Sequence, residues 1–178
     1  FLKSKNIPFI GKKDHVVFEK NEVVKGDGLP YTVFTPYSKI WKNNLSDYYF
    51  KAYPIEQYAD NFNATDAIQW DSVYDHGFIK TNHSFTAPNF DDKTITNYKE
   101  QRDFPAKEGT TKLSVHLRFG TVSIRECVRR AMDLESETWL NELIWRDFYQ
   151  SILFHFPHVE TSCFRSKYEK VEWEKNEE

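Results

Sequence analysis

Residues 139–149 read WLNELIWRDFY, and the spacing of their side chains decides how this part of the chain folds. At 3.6 residues per turn, the apolar residues of this stretch fall on one side of a helix and predict a core-facing surface. That side carries Leu140, Ile144, Phe148 and Ser151. Ser136 stands where a helix N-cap is expected, and Pro157 predicts an end near His155.

The opposite side of the same helix carries Glu142, Trp145, Arg146 and Tyr149. An indole offers a flat face for a base, a carboxyl group can bond to a base edge, and a guanidinium can meet a phosphate. This combination predicts the wall of a binding site. The alternative is a half-buried helix in which Glu142 and Arg146 pair with each other one turn apart.

Residues 109–114 read GTTKLS and precede a second predicted helix. Backbone amides at a helix start, with small hydroxyl residues and a lysine, can cradle an anion. Simple N-capping by Thr or Ser is the alternative. The stretch is not a P-loop, because the spacing G-x-x-x-x-G-K is absent. A third helix start is predicted at Ser123, with Glu126 completing a capping box.

Charge is distributed unevenly along the chain. The whole chain has a net charge of −3, but the segment 98–131 holds eight basic and four acidic residues, a net charge of +4. A local basic surface of this kind can hold a phosphate backbone although the whole chain is acidic. An ordinary solvated face is the alternative.

The composition indicates which broad class of protein this is. The 178 residues are 39% hydrophobic and 29% charged, with no apolar run of membrane-spanning length and no secretory signal. These features predict a globular cytoplasmic protein. Two cysteines, Cys127 and Cys163, supply neither a disulfide framework nor a metal site. Because the chain begins with Phe1 rather than Met, we expect a piece of a longer protein.

Further upstream, residues 16–18 form a short β-branched and aromatic run that predicts a strand. A helix is predicted from Tyr37 to Leu45. Residues 61–94 are rich in Asn, Asp and Thr and hold no period, which predicts a long surface linker and a nearby domain boundary.

Read together, these segments resemble the photolyase/cryptochrome family, and most closely its class I cyclobutane pyrimidine dimer photolyases. The resemblance rests on YKEQRDFP (98–105), EGTTKLS (108–114), HLRFGTVS (116–123), NELIWRDFY (141–149) and HFP (155–157). Upstream, YTVFTPY (31–37) and Trp41 are similar to the junction that follows the family's antenna domain.

The resemblance implies a mostly α fold in three parts. Residues 1–25 would end a Rossmann-like α/β antenna domain, 26–95 would be an interdomain linker with short helices, and 96–178 would begin the helical FAD-binding domain. FAD would be held by Tyr98, Thr110, Thr111, Lys112, Leu113, Ser114, Trp139 and Arg146. Asp147, where many members have Glu, is expected to have little consequence.

The resemblance also implies the contacts to damaged DNA. Trp145 would pack on the flipped dimer, and Glu142 would form a hydrogen bond to a dimer base. These two residues would be the catalytic ones. Arg102, Arg146 and Tyr149 would face the DNA as well. Base flipping of this kind is a general device of photolyases, and stacking on an aromatic ring offsets part of its cost.

The expected activity is light-driven repair of cyclobutane pyrimidine dimers by electron transfer from reduced FAD, with this piece inactive by itself. A cryptochrome-like blue-light photoreceptor is the first alternative, and a helical DNA-binding module without flavin is the second. The antenna chromophore, either methenyltetrahydrofolate or a deazaflavin, stays open. The family suggests a monomer.

Overall fold

The computed structural model describes residues 1–62, 69–172 and 174. Within these ranges the protein is helical and contains no β-strand beyond an isolated antiparallel bridge between Val24 and Pro30. The α-helices are α1 (Phe34–Asn44), α2 (Asp47–Phe50), α3 (Asp92–Thr96), α4 (Tyr98–Gln101), α5 (Ser114–Phe119), α6 (Ile124–Asp133) and α7 (Glu137–His155). Short 3₁₀ turns lie at Lys3–Lys5, Ile55–Asn61, Val73–His76, Pro157–Glu160 and Ser166–Lys170.

Helix α7 is the centre of the fold, and α1 and α6 pack against it. Its predicted core side is confirmed, since Leu140, Ile144 and Phe148 are all buried. Trp41 of α1 and Val128 of α6 lie in the same core and have no exposed surface. Helix α7 therefore covers the apolar faces of both α1 and α6, and burial of these faces supplies most of the stability of the helices.

The predicted bounds of α7 are confirmed, but the predicted role of Ser136 is wrong. Its side chain makes no capping bond, and its hydroxyl instead donates to the carbonyl oxygen of Ile95 at 2.8 Å. Ser123 does cap α6 by accepting from the Arg125 amide. The Glu126 carboxylate forms ion pairs with Arg129 and Arg130 rather than reaching back to the cap.

Residues 14–18, predicted in part as a strand, form an irregular segment with bends at His15, Val17 and Phe18 and without a strand partner. Side chains of α6 and α7 bond to its backbone instead. Arg125 donates to the carbonyl oxygens of Asp14 and Val16 at 3.1 and 3.2 Å, and Arg146 donates to that of His15. The strand prediction was wrong because these side chains, rather than a sheet, satisfy the backbone polar groups.

Asp147, which stands where many family members have Glu, lies buried on α7. The expectation that this exchange has little consequence stays a prediction. The Oδ2 atom of Asp147 accepts hydrogen bonds from the backbone amides of Val17 and Phe18 and from the Trp41 indole. Burial raises the pKa of this carboxyl to about 6, although the three donors oppose the shift. One carboxylate thus joins the segment 14–18 and α1 to α7.

The upstream part of the chain shares the core of the helices. Val17, Tyr37 and Trp41 lie within the predicted antenna and linker segments, yet they pack in one cluster with α6 and α7. The predicted division at residues 25 and 95 stays a prediction. Most residues between 53 and 90 that the structure describes are exposed, as a surface linker would be. No helix in the described ranges is both long and apolar enough to cross a membrane.

Candidate functional site

A cavity of about 270 Å³ lies between α4, α7 and the turn that precedes α5. The structure brings together around it all eight residues that the sequence predicted to hold a cofactor. They are Tyr98, Thr110, Thr111, Lys112, Leu113, Ser114, Trp139 and Arg146. Glu142 also lines the cavity, as do Leu117 and Leu143, which the sequence analysis did not single out.

The turn at 109–114 owes its position to a glycine. Gly109 is buried against α4 so closely that a Cβ atom there would lie 2.6 Å from Cβ of Gln101 and 3.0 Å from its backbone. Lys112 has a φ of +52°, in the left-handed region, and its ammonium pairs with Glu108. Leu113 is buried and belongs to the hydrophobic core. The turn thus presents hydroxyl and lysine side chains at the cavity while Leu113 anchors it.

Two aromatic rings supply flat surface at the cavity. Trp139 is almost fully buried and belongs to the core, whereas Tyr98 is partly exposed. Burial raises the pKa of the Tyr98 phenol, and the nearby Glu142 carboxylate raises it further. Tyr98 is therefore neutral at physiological pH, and both rings can pack against a flat ligand.

Glu142 is held by a residue far away in sequence. Its carboxylate forms an ion pair with Arg102, which follows α4 directly. The Arg102 guanidinium lies over the Tyr98 ring, 5.5 Å from its centroid. Two residues predicted to face DNA are thus brought together at the edge of the cavity.

Among the described residues, Arg146 forms no ion pair with Glu142. The alternative interpretation, in which these two side chains pair one turn apart, is therefore wrong. The guanidinium donates to the carbonyl oxygens of His15 and, at 3.2 Å, of Leu117. With the Gln150 amide flipped, so that its oxygen faces the guanidinium, that oxygen would accept from it at 3.0 Å. Burial lowers the pKa of Arg146 from its usual value. Its charge at the cavity wall is therefore already surrounded by acceptors from the protein.

Trp145 and Tyr149 lie beside the cavity rather than in its wall. The Trp145 ring is stacked on Phe34 of α1, with centroids 3.7 Å apart and planes 4° from parallel. Tyr149 lies at 5.4 Å and 24° from the same indole. Phe34 therefore covers one face of Trp145. The sequence analysis missed this contact, although Phe34 lies in the quoted YTVFTPY motif.

Part of the predicted basic surface is used inside the protein. Arg125 and Arg129 donate to backbone carbonyl oxygens, and Arg130 pairs with Asp92 at 2.6 Å. The three arginines of α6 are therefore engaged within the fold, and the basic surface predicted over residues 98–131 stays a prediction. Lys99 of α4 and Lys107, which lies in the loop after α4, stay exposed.

Comparison with known proteins shows similarity to DNA photolyases. The sequence model described as the FAD binding domain of DNA photolyase matches residues 139–178. A deoxyribodipyrimidine photo-lyase of Alkalihalophilus pseudofirmus is 30% identical over 97% of this chain and 40% of its own length. Proteins of the same name from a Synechococcus species and from Escherichia coli are each 28% identical, over 99% and 97% of the chain.

The chain thus spans about two fifths of the length of these relatives, 40–42% in the three cases. The matched region includes α7, the helix whose pattern carried the resemblance. The helical fold agrees with that of the matched domain, while the antenna part stays a prediction. Because relatives of this kind match nearly the whole length of the chain, the chain belongs to the DNA photolyase family.

Proposed function

We propose that this chain supplies the first part of the cofactor and lesion sites of an enzyme that splits cyclobutane pyrimidine dimers in DNA with light and reduced FAD. One observation carries the proposal. Eight residues from three separate stretches of sequence, each matched to FAD by family resemblance alone, surround a single cavity. Aromatic and apolar side chains with a few polar groups that converge on one concave site are the usual lining of a cofactor site.

The residues present fit the phosphates and one ring system of FAD. Thr110, Thr111 and Ser114 offer hydroxyl donors, Lys112 offers a positive charge, and Tyr98 and Trp139 offer flat apolar surface. The volume of about 270 Å³ is below the roughly 300–1,000 Å³ of pockets that enclose a whole ligand. These residues would therefore hold part of the dinucleotide. When bound, reduced FAD supplies the electron that opens the cyclobutane ring.

The lesion would bind beside the cofactor. Glu142 and Arg102 lie at the cavity edge, and Trp145 and Tyr149 continue along the same helix. Since Phe34 covers one face of the indole, a flipped dimer would pack on another part of the Trp145 surface. Stacking of a base on an aromatic ring contributes roughly 1–3 kcal/mol, which offsets part of the cost of flipping.

Two binding experiments test the proposal. Quenching of flavin fluorescence measures FAD binding to the chain, and Lys112→Ala should weaken it while Lys107→Ala, a matched exposed lysine on Phe104, should not. Filter binding then compares ultraviolet-irradiated with undamaged oligothymidylate. Equal effects of the two lysine variants would contradict the cofactor site, and equal affinity for the two DNAs would contradict the lesion site. A photoreceptor would bind FAD but show no preference for irradiated DNA.

A further inference from the structure

The Arg102–Glu142 ion pair connects two residues 40 positions apart at the edge of the cavity. Each side chain is only about one third exposed, at 36% and 37%. Glu142 projects from α7, whose position is fixed by the core, whereas Arg102 follows the four-residue helix α4. The two partners are thus carried by elements of very different length, the 19-residue helix α7 and the end of a four-residue helix.

Arg102 is surrounded by negative charge. In addition to Glu142, the Asp103 carboxylate lies 3.4 Å from its Nε. Its hydrogen bond to Glu142 is the largest cause that raises the pKa of the guanidinium, and Asp103 contributes in the same direction. With a carboxylate on each side, Arg102 offers little net positive potential to an approaching phosphate. A phosphate must displace one carboxylate in order to bind this guanidinium.

We propose that Arg102 exchanges partners when a DNA strand binds, leaving Glu142 for a phosphate and releasing the Glu142 carboxyl to the cavity. Strand binding and exposure of Glu142 to the lesion are then one coupled event. The inference rests on the proposed function, because it assumes that DNA binds at this edge. Arg102 acts here as a positioning residue for Glu142 as well as a phosphate contact.

The chemistry of the groups favours such an exchange. An ion pair at a partly exposed site contributes little to stability, so its loss is readily offset. A guanidinium presents its donors in a planar fork that matches phosphate as well as carboxylate. The Tyr98 ring, 5.5 Å from the guanidinium, keeps the arginine near the cavity while its partner changes.

The exchange predicts that Glu142 competes with DNA for Arg102. Replacing Glu142 by Gln keeps its shape but removes the competing charge. Glu142→Gln should therefore raise the affinity for undamaged oligothymidylate by about fivefold. Glu100→Gln is the matched control, since it removes the same charge from the exposed side of α4 and forms no ion pair among the described residues. Its effect should stay below about twofold.

A double-mutant cycle on DNA affinity decides the question. In the Arg102→Ala background the gain from Glu142→Gln should disappear, and the dependence of log affinity on log salt should become shallower by about one. Arg102→Lys, which retains the charge without the fork, serves as a second variant if Arg102→Ala unfolds the chain. Independent effects of the two substitutions, or an equal gain from Glu100→Gln, would overturn the exchange. Failure of the proposed function looks different, because wild type and variants alike would then bind irradiated and undamaged DNA equally.

Discussion

The carboxylate of Asp147 accepts a hydrogen bond from the indole Nε1 of Trp41 at 3.0 Å, across 106 residues of sequence. The same Oδ2 atom accepts from the amides of Val17 and Phe18 at 3.1 and 3.4 Å. Within the described part of the chain, Oδ1 has no hydrogen-bond partner. A buried charge with one oxygen unsatisfied is costly, and this explains why the pKa of Asp147 rises rather than falls.

The raised pKa predicts that stability depends on pH. Asp147 has a pKa of about 6 in the folded protein and 3.8 when unperturbed, so folding favours its protonated form. Its stabilising contribution is complete below pH 3.8 and is lost as pH rises through about 6. The free energy of unfolding should therefore fall by up to about 3 kcal/mol between pH 4 and pH 7 through this group alone.

Asp147→Asn isolates this effect from the other ionisable groups of the chain. Asparagine keeps an acceptor for the three donors but does not ionise. Urea unfolding of wild type and variant at four pH values gives the difference in unfolding free energy, which should change steadily from pH 4 to pH 7. Parallel pH profiles for the two proteins would show that Asp147 is not protonated near pH 6.

A second prediction concerns Arg146, whose guanidinium bonds to the carbonyl oxygens of His15 and Leu117. Lysine retains the charge but cannot reach both carbonyl groups with a planar fork. Arg146→Lys should lower the free energy of unfolding by about 1–3 kcal/mol. Arg118→Lys, at an exposed position of α5, should change it by less than about 0.5 kcal/mol in the same urea unfolding assay.

Trp145 has a structural role that complicates its use as a probe of lesion binding. Because the indole is stacked on Phe34 and contacts Phe148, Trp145→Ala should cost about 2–3 kcal/mol of stability. Trp145→Phe keeps a ring on Phe34 and should cost less. Trp70→Ala, at a site that is 83% exposed, is the control and should leave the thermal midpoint unchanged. An equally stable Trp145→Ala variant would contradict the importance of the stack.

Gly109 gives a prediction about the turn itself. A methyl group there would overlap Gln101, so Gly109→Ala should push the turn away from α4 and cost about 1–3 kcal/mol. It should also weaken FAD binding, because Thr110 and Lys112 would move with the turn. Gly26→Ala is the matched control, since nothing lies within 4 Å of its added Cβ. Retention of both stability and FAD affinity in Gly109→Ala would show that the turn adapts.

Hydrophobic periodicity and capping residues predicted the helices well where one face of the helix is apolar. The bounds of α7 and the start of α6 followed from periodicity and from Ser123, and α1 begins at Phe34, only three residues before its predicted start. The gathering of eight residues around one cavity followed from family resemblance. Periodicity by itself left open whether Glu142 and Arg146 lined a site or paired with each other.

The sequence could not predict contacts made between distant segments. Asp147 lies on the same helix as the quoted pattern, but its three donors come from residues more than 100 positions earlier. The partners of Arg125 and Arg146 are backbone carbonyl oxygens, which leave no signature in side-chain type. The stack of Phe34 on Trp145 likewise depends on how α1 crosses α7.

The contacts of the irregular segment 14–18 bear on the order in which the fold assembles. This segment is held by Arg125, Arg146 and Asp147, side chains that face the same way only after α6 and α7 have formed and packed. Closing a loop of more than 100 residues is slow, so this segment joins a helical pair that is already built. The amide protons of Val17 and Phe18 then report on that last step, and can exchange with solvent while the helix pair stays closed.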